Sequence, residues 1–151
     1  MPKGKLPIKP PYIAALCLLF SWALARIFPN LNIIKYPLTR LGILFIAVGF
    51  LLLFWSFYMF RKNKTPIIPG KKPAFIVIGG PYKLTRNPMY LGVGLVLFGA
   101  AVCMGNVLSF LGPIIFFSII NKVFIPFEEE LMKSLFGKKY TDYKSKVRRW
   151  I

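Results

Sequence analysis

The chain has no histidine, only four acidic residues and only two cysteines in 151 positions. Without imidazole there is no His general base, no His-ligated metal and no His-based triad. Cys17 and Cys103 each fall inside an apolar block, make no metal-ligand spacing and read as small packing residues. Three of the four acids are consecutive, Glu128, Glu129 and Glu130, so carboxylate chemistry is confined to one place. Internal repeats and low-complexity tracts are absent too, which excludes solenoid and repeat architectures.

What is present is apolar. Hydrophobic residues make up 56% of the chain and the mean hydropathy is +0.61. Four blocks, 12–28, 41–60, 89–105 and 107–127, each approach the roughly 17–25 residues needed to cross a bilayer core as a helix. The expected fold is a single all-α integral membrane domain over residues 1–151, with about four transmembrane helices. An ordered loop follows the second span, and an amphipathic helical segment follows the fourth. Pro10-Pro11 is expected to stop ahead of the first helix, and Pro29 to end it. Ala23-Leu24-Ala25 has the look of a signal-peptidase site, but the apolar run continues through Ile27-Phe28, so the first span is expected to be retained.

The formal net charge of +17 raises the question of nucleic acid, and the placement of the cations answers it. With the N-terminus in the cytoplasm, 18 cations fall on the inner side and only Arg26, Lys35 and Arg40 on the outer. That asymmetry obeys the positive-inside rule with both termini cytoplasmic. It predicts contact with anionic lipid headgroups and no nucleic-acid partner. The sequence sets no oligomeric state.

The polar residues concentrate at two points. Gly80–Gly92 places two prolines, two tyrosines, Lys83, Arg86 and Asn87 at the mouth of the third span. The acidic triad follows directly on the fourth. Consecutive helical residues are turned by about 100°, so the three carboxylates cannot all face water, and one or two should turn to the bundle. They are either counter-ions for Lys122, Lys133 and Arg86 or part of a ligand site. Because spans three and four form a hairpin across Gly105-Asn106, both polar points come to the same depth and ring a cavity roofed by the 61–88 loop. Gly92, Gly94, Gly99 and Cys103 give span three a small-residue packing face. The aromatic residues Phe54 to Phe60 read as an interfacial belt. Gly137 should split the C-terminal segment into two short helices, with Trp150-Ile151 as an interfacial anchor.

The run Gly80-Pro81-Tyr82 followed by Arg86-Asn87-Pro88-Met89-Tyr90-Leu91-Gly92 resembles the signature of the isoprenylcysteine carboxyl methyltransferase and phospholipid methyltransferase family. Glu128-Glu129-Glu130-Leu131, Phe136-Gly137-Lys138-Lys139-Tyr140 and Val147-Arg148-Arg149-Trp150 resemble its C-terminal pattern, so the likeness covers roughly residues 66–151. It implies a membrane-embedded enzyme using S-adenosylmethionine, with a lipid-like acceptor. Carried over by position, Tyr82, Asn87, Pro88, Met89 and Tyr90 line the cofactor site. Glu128, with Glu129 beside it, holds the nucleoside end at the ribose hydroxyls, and Ala74, Phe75, Ile76 and Val77 make backbone contacts. Arg86 suits the methionine carboxylate through a charged fork, a role assigned on chemistry and not by the pattern.

Two positions depart from the resemblance. Asn87 stands where the isoprenylcysteine enzymes have His, and Phe124 stands where they have the arginine that binds the acceptor carboxylate. The acceptor is therefore left open among carboxylate, amine and other nucleophiles, and no catalytic residue is assigned. Glu129 or Tyr90 would assist an acceptor that must lose a proton. No metal is expected. Two other readings stay open: a sterol- or isoprenoid-type reductase on a related scaffold, and a non-catalytic membrane protein that binds lipid or a partner.

Overall fold

The computed structural model describes residues 8–63 and 75–151. Among these the chain is helical throughout and forms no strand; one isolated bridge joins Asn32 to Asn106. The helices are α1 (Pro10–Ile27), α2 (Leu41–Lys62), α3 (Pro88–Met104), α4 (Leu111–Ile119), α5 (Ile125–Phe136) and α6 (Lys138–Lys146). Pro10 and Pro11 do not stop ahead of α1. They open it, because the first helical turn has no use for their missing N–H groups.

Three stretches, Pro10–Ile27, Leu38–Lys62 and Val107–Phe136, are long and apolar enough to cross a membrane. The fourth apolar helix, α3, has 17 residues and reaches about 26 Å at 1.5 Å per residue, a short span. The chain is thus an all-α integral membrane protein with the expected number of apolar helices. Side chains such as Leu16, Leu19, Leu44, Leu51 and Phe54 point outward, as lipid contact requires.

The last span is longer than its apolar block. α4 runs through a π-helical segment, Ile120–Phe124, into α5 without a break, so the acidic triad sits on the same rod as the membrane span. The cause is Pro126, which cannot donate to the Lys122 carbonyl four residues earlier; the wider π turn accommodates the missing bond. The rod ends at Gly137, whose φ of +50° lets α6 fold back.

Helices α2 and α3 form the most intimate pair. A Cβ on Gly49 would lie 2.7 Å from the Gly92 carbonyl oxygen, and one on Gly92 would lie 2.9 Å from that of Gly49. Gly42 and Gly99 are matched in the same reciprocal way. Each pair is spaced seven residues along its helix, two turns on one face, so the two backbones touch with no side chain between them. Gly94 turns away from this seam towards the Phe117 ring. On the other side α1 packs on α3 and α4, where Ser21 Oγ donates to the Ser109 carbonyl (2.7 Å) beside Gly112. Ile13, Cys17, Leu97, Phe116, Ile120, Phe124 and Ile125 fill the core between them.

At the end that carries Gly105 the two connections are sewn together. Gly105 takes φ +71° to close α3, and its carbonyl accepts the Ile33 and Ile34 amides. The up-and-down order then brings the start of α1, the end of α2, the start of α3 and all of α5 to the opposite end.

Candidate active site

That opposite end holds a cavity of about 600 Å³. Its wall begins at Gly80, whose φ of +59° turns the chain against Trp55 and Met59 of α2. The turn seats Pro81 and Tyr82, both buried, under the end of α2. Tyr82 packs on Phe60 at 5.5 Å, and its carbonyl accepts the Tyr143 hydroxyl at 2.7 Å. Burial pushes the phenols of Tyr82 and Tyr143 well above the ordinary tyrosine range; a hydrogen bond with Ser56 offsets part of the rise at Tyr82. Both are neutral hydroxyls at any physiological pH.

α3 opens at Pro88, and the residues just before it are held by the C-terminal segment rather than by a helix cap. Thr85 Oγ1 donates to the Arg149 carbonyl (2.9 Å) and accepts the Asn87 amide (3.2 Å). Asn87 Nδ2 donates to the same Arg149 carbonyl at 3.0 Å, and the Arg86 amide donates to the Arg148 carbonyl at 3.0 Å. The Asn87 side-chain donor is thereby committed to the protein.

The acidic triad divides its faces as consecutive helical positions must. Glu128 turns to the cavity and accepts the Tyr90 hydroxyl at 2.7 Å. Glu129 gathers three cations: Arg86 at 2.9 Å, Lys144 at 2.7 Å and Arg149 at 3.1 Å. Glu130 is exposed. Of the expected counter-ions Arg86 is therefore right, while the places given to Lys122 and Lys133 belong to Lys144 and Arg149. The Arg86 side chain is 9% exposed, and its Nε is buried with no hydrogen-bond partner among the described residues.

Phe75, Ile76, Val77, Tyr82, Arg86, Asn87, Pro88, Met89, Tyr90, Glu128 and Glu129 all line this one cavity. Ala74 lies outside the described residues. Phe124 is 3% exposed, packs in the core and does not line the cavity. No group of three His, Cys, Asp or Glu among the described residues could hold a metal ion.

The sequence reading missed part of the wall. Lys9, Pro10, Pro11 and Ala14 of the α1 end line the cavity, as do Leu53, Phe57 and Phe60 of α2 and Tyr140 and Tyr143 of α6. Phe57 and Phe60 are thus wall residues within what reads as an interfacial belt. Asn121 also went unmarked. It sits in the π segment and accepts Arg149 Nη1 (3.1 Å) and Trp150 Nε1 (3.3 Å). A lone amide in an apolar run was its only signal. Trp150 packs edge-on against Phe117 at 5.3 Å, which holds it to the bundle.

Residues 38–139 match the profile of a family described as phospholipid methyltransferase. The chain is also similar to a Haemophilus influenzae protein described only as uncharacterized, 46% identical over 63 residues, which is 42% of this chain and the whole of that protein. The matched family region holds α2, α3, α4 and α5; α1 and residues beyond 139 add their cavity wall from outside it.

Proposed function

Because the chain belongs to the phospholipid methyltransferase family, whose members are membrane methyltransferases, we propose that its cavity holds S-adenosylmethionine and serves methyl transfer to a lipid-like acceptor at the cytoplasmic membrane face. The observation that carries the reading is the 2.7 Å bond from Tyr90 to Glu128, which joins two distant polar segments, 38 residues apart, on one cavity wall.

The residues suit that group. Glu128 has one oxygen engaged by Tyr90 and no other hydrogen bond among the described residues, leaving acceptor capacity for the ribose hydroxyls. Arg86 lines the cavity, and its guanidinium is the cation for the methionine carboxylate. Ile76 and Val77, both buried, offer an apolar wall for the adenine ring. A volume of about 600 Å³ lies within the span of small-molecule sites. When bound, the group supplies a methyl already activated on a sulfonium, so transfer to the acceptor's lone pair needs alignment and a dry site.

With Glu128 given to the ribose, the remaining polar residues favour an acceptor that arrives with its lone pair already free. Glu129 shares its charge among three cations, which makes it a poor base. Tyr90 donates its proton to Glu128 and Tyr82 holds its own. The acceptor would enter from the bilayer: α1 and α2 each pack on α3 without an extensive contact with each other, and Ala14, Leu53 and Phe57 line the side between them.

Titration of the detergent-purified protein with S-adenosylmethionine and S-adenosylhomocysteine tests the reading. Saturable binding that Glu128→Ala weakens is expected. Binding of neither, or binding indifferent to Glu128→Ala, would rule it out.

A further inference from the structure

Several bonds tie the C-terminal segment to the cavity residues, and Arg149 makes more of them than any other residue of that segment. The Arg149 guanidinium forks onto both oxygens of Glu129 (3.1 and 3.2 Å) and sends its third nitrogen to Asn121 in the π segment. Its carbonyl takes the Thr85 hydroxyl and the Asn87 amide nitrogen. One residue therefore fixes the start of α3, the π turn and the carboxylate on α5 relative to one another.

The charges give this tie a consequence. Glu129 carries one negative charge and three cations, so the cluster of Arg86, Lys144, Arg149 and Glu129 is left with an excess of two positive charges. Arg86 and Arg149 both bond Oε1 of that carboxylate. Each cation Arg149 and Lys144 add to Glu129 reduces what Glu129 can neutralise at Arg86. Arg86 is the one cation of the cluster that lines the cavity, beside Glu129, and its Nε has no partner among the described residues.

We infer that Arg149 is a positioning residue which holds Arg86 under-neutralised and aimed into the cavity, so that Arg86 receives an anionic group of the bound ligand. This rests on the cofactor reading above, in which that group is the methionine carboxylate. Lysine cannot replace it, because a single ammonium cannot bridge both Glu129 oxygens and Asn121 at once.

The test compares two ligands that share the nucleoside and differ in the amino-acid end. S-adenosylhomocysteine carries the carboxylate; 5′-methylthioadenosine does not. In Arg149→Met, and nearly as much in Arg149→Lys, affinity for S-adenosylhomocysteine should fall about tenfold or more, the loss of roughly one charge-assisted hydrogen bond. Affinity for methylthioadenosine should stay within about twofold of the parent, since binding energies of separate groups are close to independent. A merely structural role for Arg149 lowers both affinities together, and that result, or no loss at all, overturns the inference.

Hydrogen exchange of the ligand-free protein supplies the second arm. The Arg86 amide, held by the Arg148 carbonyl at 3.0 Å, should exchange about tenfold faster or more in Arg149→Met. If the parent binds neither nucleoside, the cofactor reading fails while faster exchange still upholds the tie. Unchanged exchange overturns the tie whatever the ligand does.

Discussion

At the Gly105 end of the bundle Asn106 is fully buried and donates to the Phe28 carbonyl (2.7 Å) and to Asn32 Oδ1 (2.9 Å), while its own Oδ1 accepts the Leu108 amide (3.0 Å). At the cavity end Glu129 is ringed by three cations, and the Arg86 Nε beside it has no partner among the described residues. The first cluster is neutral and closed on itself. The second carries excess charge and an unpartnered buried donor, and it lies against a cavity. Burying a polar group without a partner costs free energy, so a fold keeps such a group only where something else stabilises it. The closed cluster holds two loops together; the charged one suits the proposed ligand site.

Substitutions should separate the two ends, and the largest effect belongs to neither. Gly92→Leu drives a side chain into the Gly49 backbone and should cost about 3 kcal/mol or more, leaving little folded protein by size-exclusion chromatography. Loss of folding there, with both clusters untouched, marks the glycine seam as the frame on which both ends depend.

Next in size is Glu128→Ala, which should weaken S-adenosylhomocysteine roughly 30- to 100-fold in calorimetry while the thermal midpoint without ligand stays near the parent's. Asn106→Ala should do the reverse. It strands the Phe28 carbonyl and the Leu108 amide and should cost about 2 kcal/mol in unfolding experiments, with ligand affinity unchanged. Should Asn106→Ala weaken the ligand as Glu128→Ala does, the division between the ends would be wrong.

A smaller effect concerns the tyrosines of the cavity end. The Tyr82 and Tyr143 phenols are raised in the folded protein, so they keep their protons where an unfolded tyrosine, near pH 10, loses them. Above that pH the unfolded chain binds fewer protons than the folded one, and stability falls as pH rises. Absorbance at alkaline pH should show part of the seven tyrosines ionising only as the protein unfolds. Smallest of all, Lys122→Ala removes an exposed cation that lines no cavity, and should move stability by less than about 0.5 kcal/mol and ligand affinity not at all.

Much of this was legible before any coordinates. The apolar blocks announce the helices because a span must bury every backbone polar group within itself, which makes helix the only economical answer for such runs. The hairpin at Gly105-Asn106 brings the Arg86–Tyr90 tract and the acidic triad together by topology alone, and the cavity joins them. The π turn was not legible, since Pro126 near the end of a span reads equally as a helix stop or a kink. Nor was the α1 contribution, because Lys9, Pro10 and Pro11 carry no periodic signal that ties them to residues more than seventy positions away.

By itself the sequence determined the membrane class, the number of apolar helices, the family likeness and the two polar segments of the site. Each of these follows from local composition or from chain order. Tertiary structure decided which carboxylate does what. Glu128 and Glu129 are adjacent and chemically identical, yet a turn of about 100° gives one a tyrosine and a cavity and the other three cations. It also decided that the C-terminal Arg149 ties that site together, because its partners at 85 and 87 and those at 121 and 129 come from two separate segments that only packing brings within hydrogen-bond reach.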